Sequence, residues 1–277
     1  MKGKDMNTSL SMLLSQFAAA WDVFFTVKLP AFFRSNMEEW ETLDGQGALT
    51  VPMLPVAGAA AGFILFLPLT FICILGRPVA AGILGATIAP LIMELLSGGK
   101  DLRSLAIFLE KRRKGMDVEE ALTPPGKNDS ANRSASYTLI VFTMYILRMI
   151  FFGVLAYFNA SFWFIVVFAG SFYLRAELCL VNIPGEFGRK SLLSVPDGMK
   201  KYHIYTALIL CLLAGFLRDI PFTLIGFLVA MLAAFLAKGA CLESVSGINK
   251  FAVRVFGYAS EFVLLFTGVL LYAKPGA

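Results

Sequence analysis

Long apolar runs, broken by short polar stretches, dominate this chain. Crossing about 30 Å of hydrocarbon takes roughly 20 apolar residues. Five runs meet that length: Pro52–Leu75, Val79–Leu96, Tyr137–Phe158, Ala160–Ile183 and Phe251–Ala273. The apolar stretch from His203 to Ala237 is interrupted by Arg218-Asp219-Ile220-Pro221. A charged turn followed by proline there predicts a helical hairpin of two shorter spans. Leu10–Phe25 is apolar as well, but Gln16, Trp21 and Asp22 interrupt it and Lys28 and Pro30 follow. That pattern predicts an interfacial or re-entrant helix rather than a span, and the absence of a small-residue cleavage site argues against a signal peptide. The expected fold is therefore all-α: a polytopic integral membrane protein of about seven transmembrane helices plus the N-terminal helix, in one membrane domain covering 1–277.

Threading seven spans puts loops 34–51, 97–136, 184–202 and 238–250 on one side and the turns at 76–78, 159 and 218–219, with the C-terminus, on the other. The first set carries 15 Lys and Arg and the second only Arg77, Arg218 and Lys274. By the positive-inside rule the long loops face the cytoplasm and the C-terminus lies outside, as in a multi-pass protein of the inner (plasma) membrane. The 97–136 loop is the largest extramembrane segment. Within it, Leu102, Leu105, Ala106 and Leu109 recur at helical spacing, which predicts an amphipathic helix on the cytoplasmic surface ending near Lys111-Arg112-Arg113-Lys114. Pro124-Pro125-Gly126 stops any helix begun at Asp117–Leu122.

Composition sharpens this picture. Of 277 residues, 58% are hydrophobic and 16% charged, with a net charge of +5. A soluble domain would carry about a quarter charged residues, so membrane lipid is the expected surrounding. The net positive charge follows from topology, and the loops lack the interleaved stacking aromatics of a nucleic-acid stripe, so no nucleic acid is expected as partner. Cys73, Cys179, Cys211 and Cys241 sit in or beside apolar runs without paired spacing and read as small buried hydrophobes. The single histidine, His203, makes a histidine metal site or a Ser/His/Asp triad a poor reading.

Charged residues inside spans are costly and are therefore candidates for function: here Glu94, Arg148, Arg175, Glu177, Arg254 and Glu261. Glu94, less than one turn from the cytoplasmic end, is expected to snorkel to the headgroups. Arg175 lies about two turns inside, with Glu177 on a different helix face, so it requires a partner from another helix or an anionic ligand. The segment Lys127-Asn128-Asp129-Ser130-Ala131-Asn132-Arg133-Ser134 is rich in donors and leads into a helix N-terminus, which suits a phosphate. An ordinary helix start with Ser134 or Ser136 as N-cap explains the same residues.

Several segments, taken in order, resemble the cobalamin synthases, integral membrane enzymes also called adenosylcobinamide-GDP ribazoletransferases. Phe24-Phe25-Thr26 with Pro30 is similar to the family's Phe-Leu-Thr-Arg-x-Pro, with a one-residue slip and Lys28 near the expected arginine. Leu54-Pro55-Val56-Ala57-Gly58 with Gly62 resembles Phe-Pro-x-x-Gly-x-x-x-Gly, Asp129-Ser130 with Arg133 resembles Lys-Asp-Ser-Arg-x-Gly, and Gly257 with Glu261 resembles Gly-x-x-x-Glu. The main motif departs from the pattern. Against Gly-Gly-x-His-x-Asp-Gly-x-x-Asp-x-x-Asp-Gly, whose aspartates suit Mg²⁺ on a phosphate substrate, the chain keeps Gly98-Gly99 but has Asp101 for the histidine. Arg103 and Ile107 replace two aspartates, and Glu110 alone keeps a carboxylate. Ala252-Val253-Arg254 likewise stands where Thr-Gly-Asp is expected.

The resemblance implies a divergent phosphotransferase with Mg²⁺ as cofactor, held by Asp101, Glu110 and Asp129 as catalytic and metal residues. Arg103, Lys127, Arg133 and Arg175 would neutralise the diphosphate, with Glu261 also in the substrate site. The implied partners are a corrinoid nucleotide and α-ribazole (or its 5′-phosphate), joined with release of GMP. The alternative is a non-catalytic relative binding a phosphorylated ligand or a membrane partner, because a cation at a Mg²⁺ position repels metal while still attracting phosphate. A small transporter fits less well, since one proline-broken hairpin has no matching partner. A homo-oligomer is compatible with either reading.

Overall fold

A computed structural model of the chain describes residues 2–30, 51–126, 134–179, 205, 208–209, 219–242 and 249–273. The described residues form helices α1 (Lys2–Phe24), α2 (Met53–Ile74), α3 (Pro78–Ser97), α4 (Lys100–Arg113), α5 (Val118–Ala121), α6 (Ala135–Tyr157), α7 (Trp163–Cys179), α8 (Ile220–Leu242) and α9 (Lys250–Tyr272). No strand occurs among them.

Five helices are long and apolar enough to cross a membrane: α2, α3, α6, α9 and Ile220–Ala240 of α8. Their lipid-type faces carry Phe71, Ile74, Ile83, Leu139, Phe142, Leu228, Phe235 and Leu270, all exposed. The chain is thus helical and membrane-embedded in character, with five candidate spans where the sequence predicts seven. The difference has two sources. The first arm of the expected hairpin falls mostly outside the described residues. Of the run beginning at Ala160, the described helix is α7 with 17 residues, and the run's end lies outside the described residues.

α7 is the centre of the bundle. Every residue from Trp163 to Leu178 is buried, so this helix is covered on all sides rather than on one face, as a helix enclosed by others is. It packs against α2, α8 and α9. The close approach of α2 explains Gly58 and Gly62: a Cβ on Gly62 would stand 2.5 Å from the carbonyl oxygen of Phe164. Small residues spaced by four let two backbones meet where a larger side chain would hold them apart. On the α9 side, Trp163 donates its indole N–H to the Leu264 carbonyl (2.8 Å) and Ser171 donates to the Gly257 carbonyl (2.7 Å).

At one end of the bundle α3 gives way to α4. Gly98 and Gly99 both adopt left-handed backbone, φ +64° and +65°, which L side chains rarely adopt. Two such residues in succession end α3 and start α4 in a new direction. The N-terminal segment docks here: the Thr26 N–H donates to the Leu96 carbonyl (2.6 Å), and the Thr26 hydroxyl sits 3.1 and 3.0 Å from the carbonyls of Leu95 and Leu96. α1 is helical as expected and is not one of the five candidate spans.

Candidate functional site

The turn at Gly98-Gly99 sets Glu94 on one side and Asp101 on the other, and both carboxylates meet arginines from other helices. α9 supplies the frame. Its positions Arg254, Gly257, Tyr258 and Glu261 recur every three to four residues and so share one helix face. Gly257 is the gap in that face: a Cβ there would collide with Nε, Cγ and Cδ of Arg175. The missing side chain lets Arg175 cross from α7 and lie against the α9 backbone.

Arg175 is 1% exposed. Its Nη2 donates to Asp101 Oδ2 at 2.8 Å, and its guanidinium carbon lies 4.7 Å from the centroid of the Phe24 ring and 4.5 Å from that of Phe172. Arg254 Nη1 approaches Asp101 Oδ1 at 3.4 Å. Two guanidiniums therefore share one carboxylate. Arg175 Nε and Nη1 and Arg254 Nη1 are buried without a hydrogen-bond acceptor. Buried donors are nearly always paired, and orphaned arginine N–H groups are strong candidates for an anion. Lys100 and Lys250 are exposed at this mouth, and Lys250 lies within Coulomb range of Arg254, Lys100 and Asp101.

One turn along α9 the balance reverses. Arg148 of α6, 2% exposed, donates through Nη1 to Glu94 and through Nη2 to Glu261. It also donates from Nη1 to the Tyr258 hydroxyl at 3.1 Å, and that hydroxyl donates to Glu94 at 2.9 Å. Here two carboxylates share one guanidinium, and Glu94 Oε2 has no partner. On the other side of α7, Glu177 pairs with Lys238 of α8.

These contacts bear on each residue singled out from the sequence. Arg175 does find its partner on another helix. Glu94 is corrected: it does not snorkel, because Arg148 and Tyr258 draw it inward and leave its side chain 13% exposed. Asp101 and Glu110 stand nine residues apart on α4, about 13 Å of axial rise and half a turn around the helix, so the two carboxylates do not form a joint Mg²⁺ site. Asp101 is occupied by arginines. Glu110 accepts from the Ser134 hydroxyl and bridges Lys114 at 3.2 Å. No group of three His, Cys, Asp or Glu residues able to hold a metal occurs among the described residues. Arg103 is exposed on α4, and Glu261 belongs to the Arg148 cluster. Lys127, Asp129 and Arg133 lie outside the described residues. Ser134 is the N-cap of α6, accepting from the Tyr137 N–H at 3.3 Å.

No family model matches the sequence, and neither a curated protein nor a solved structure matches it. The likeness to cobalamin synthases therefore rests on the sequence segments alone, and the function must be argued from the charge clusters.

Proposed function

We propose that this protein is a membrane-embedded binder of a phosphorylated or similarly charged oxyanion, taken up at the bundle end where α3, α4, α7 and α9 meet. The single observation that carries the reading is the sharing of Asp101 by two buried arginines, with Arg175 Nε and Nη1 making no hydrogen bond and Arg254 Nη1 held only by a 3.4 Å ion pair to Asp101. An isolated buried cation is costly, and an oxyanion supplies several acceptors at once in the geometry a guanidinium prefers. Lys100 and Lys250 at the mouth would draw such an anion in. In this reading a divalent metal is unnecessary, since the cations do the work it would do.

The motif likeness supplies a second reading, a divergent phosphotransferase joining adenosylcobinamide-GDP and α-ribazole. The Gly98-Gly99 turn favours it, because both motif glycines stand where left-handed backbone demands them. In either reading the Lys100–Arg113 end faces the cytoplasm of the inner membrane.

The test is binding of inorganic phosphate and pyrophosphate to the purified full chain in detergent, with and without Mg²⁺. Metal-independent binding that falls at least tenfold in Arg175→Gln and in Arg254→Gln supports the anion site. Wild-type protein that binds neither anion refutes it. Mg²⁺-dependent cobalamin product from the two named substrates would instead favour the transferase.

A further inference from the structure

The two charge clusters are halves of one assembly. Gly257 and Glu261 are one turn apart on α9, Arg175 lies on Gly257, and Glu261 is within Coulomb range of Arg175, Glu94 and Asp101 as well as of Arg148. The groups facing the Glu94–Glu261 pair are thus Arg148 from α6, Tyr258 from α9, Arg175 from α7 and Asp101 from α4, with Arg254 beyond them on Asp101 and Lys100 and Lys250 at the mouth. Of these six ions, five buried and Glu94 half-buried, Asp101, Arg175 and Arg254 carry one positive charge in excess, while Glu94, Glu261 and Arg148 carry one negative charge in excess. Without a ligand the surplus cation and the surplus carboxylate offset each other.

Resting on the oxyanion reading above, we propose that ligand binding here is proton-coupled: an anion seated on Arg175 and Arg254 is accompanied by a proton taken up on the Glu94–Glu261 pair. An arriving anion satisfies the surplus positive charge. The two carboxylates on Arg148 are then left with one uncompensated negative charge in a low-dielectric interior, where a like-charged pair favours holding a proton. The proton comes from solvent and adds to one carboxylate oxygen, so no bond other than that O–H forms and none breaks. Glu94 Oε2 is buried with no donor upon it, and the Glu94 side chain as a whole is 13% exposed at the bundle end. By linkage, anything that supplies the proton tightens the anion, and the reverse holds equally. Affinity therefore rises as pH falls, by at most about tenfold per pH unit for one proton.

Sulfate is the suitable probe, because its own charge does not change between about pH 6 and 8, whereas phosphate titrates there. The full chain in detergent is titrated with sulfate by calorimetry in two buffers of different ionisation enthalpy, and the difference between the heats counts protons. The expected result is uptake of up to one proton per anion in wild type, abolished in Glu261→Gln and in Glu94→Gln, since either change removes the surplus carboxylate. With its charge already removed, Glu261→Gln should bind sulfate more tightly than wild type at pH 8 and with little dependence on pH. Sulfate binding to wild type without proton uptake overturns the coupling and leaves the anion site standing, even if neither variant folds. Uptake that persists unchanged in both variants places the proton elsewhere and also overturns it. Failure of wild type to bind either sulfate or phosphate removes the oxyanion reading and the coupling together.

Discussion

Arg148 is the side chain whose loss should cost the most. It is enclosed by two carboxylates and the Tyr258 ring, whose centroid lies 5.0 Å from the guanidinium carbon, and it joins α3, α6 and α9. Removing one member of a buried ionic group leaves its partners charged and unpaired, which costs about 3–5 kcal/mol. We expect Arg148→Met to lower the thermal midpoint in detergent sharply, and Glu94→Gln with Glu261→Gln in that background to recover a good part of the loss. If Arg148→Met melted like wild type, the cluster would have no structural weight. Sequence reasoning reached most of these residues by one rule, that a charge inside a span needs a reason, and it named Arg148, Arg175, Arg254 and Glu261 that way. It did not pair them. Tyr258 escapes that rule, since a tyrosine carries no charge and in an apolar run reads as packing, although its place between Arg254 and Glu261 on the face of α9 is visible in the numbering. Asp101 was read by motif analogy as a metal ligand. That its partners are arginines depends on how α7 and α9 approach α4, which no local pattern encodes.

At the scale of elements, the amphipathic α4 is legible because its apolar positions repeat at 3.6 residues, whereas of the short α5 only the proline stop is; its start is fixed by Asp117, which accepts from the Glu120 N–H at 2.7 Å. The close α2–α7 contact was not legible: Gly58 and Gly62 were read as matching a family pattern, whereas their physical task is to admit the α7 backbone. The basic run at the end of α4 was also more than a topology signal. Lys111 donates to the Thr123 carbonyl at 2.8 Å and Arg112 to the Met116 carbonyl at 2.6 Å, so two of the four cations close the following turn. The same helix end is fastened to the start of α6 through Glu110 and Ser134. The Ser134 hydroxyl donating to it, reinforced by Lys114 and Arg113, holds the Glu110 carboxyl below its ordinary value of 4.5. A carboxylate depressed on folding contributes stability that is present above its unfolded pKa and is lost as pH falls through the folded one. Glu110→Gln should therefore be less stable than wild type at pH 6.5, by about 1.5 kcal/mol, the low end for a hydrogen bond to a charged group. The difference should begin to shrink as pH falls below 4.5 toward 4, as the wild-type carboxylate approaches its lowered value. Thermal unfolding at the two pH values checks this, and an equal deficit at both would show that the charge of Glu110 contributes nothing.

On the scale of the whole molecule, orientation in the bilayer decides which compartment supplies both the anion and the proton. The clusters lie at the α3–α4 end of the bundle, where Lys100, Arg103, Arg112, Arg113, Lys114 and Lys250 are exposed. The opposite end, at the α2–α3 turn, presents Arg77. Basic residues flanking spans are retained in the cytoplasm during insertion, so the α3–α4 end is expected inside and the α2–α3 turn outside. α3 runs from Pro78 to Ser97, about 30 Å at 1.5 Å per residue, so Arg77 and Lys114 report opposite faces of the membrane. With the four native cysteines replaced, single cysteines at Arg77 and at Lys114 can be treated in intact cells with a thiol reagent that does not cross membranes. The expected result is labelling at Arg77→Cys and none at Lys114→Cys until the cells are opened. The reverse pattern would invert the protein, and the site would then draw its anion and its proton from outside the cell. Labelling of both positions in intact cells would mean that α3 does not cross the bilayer.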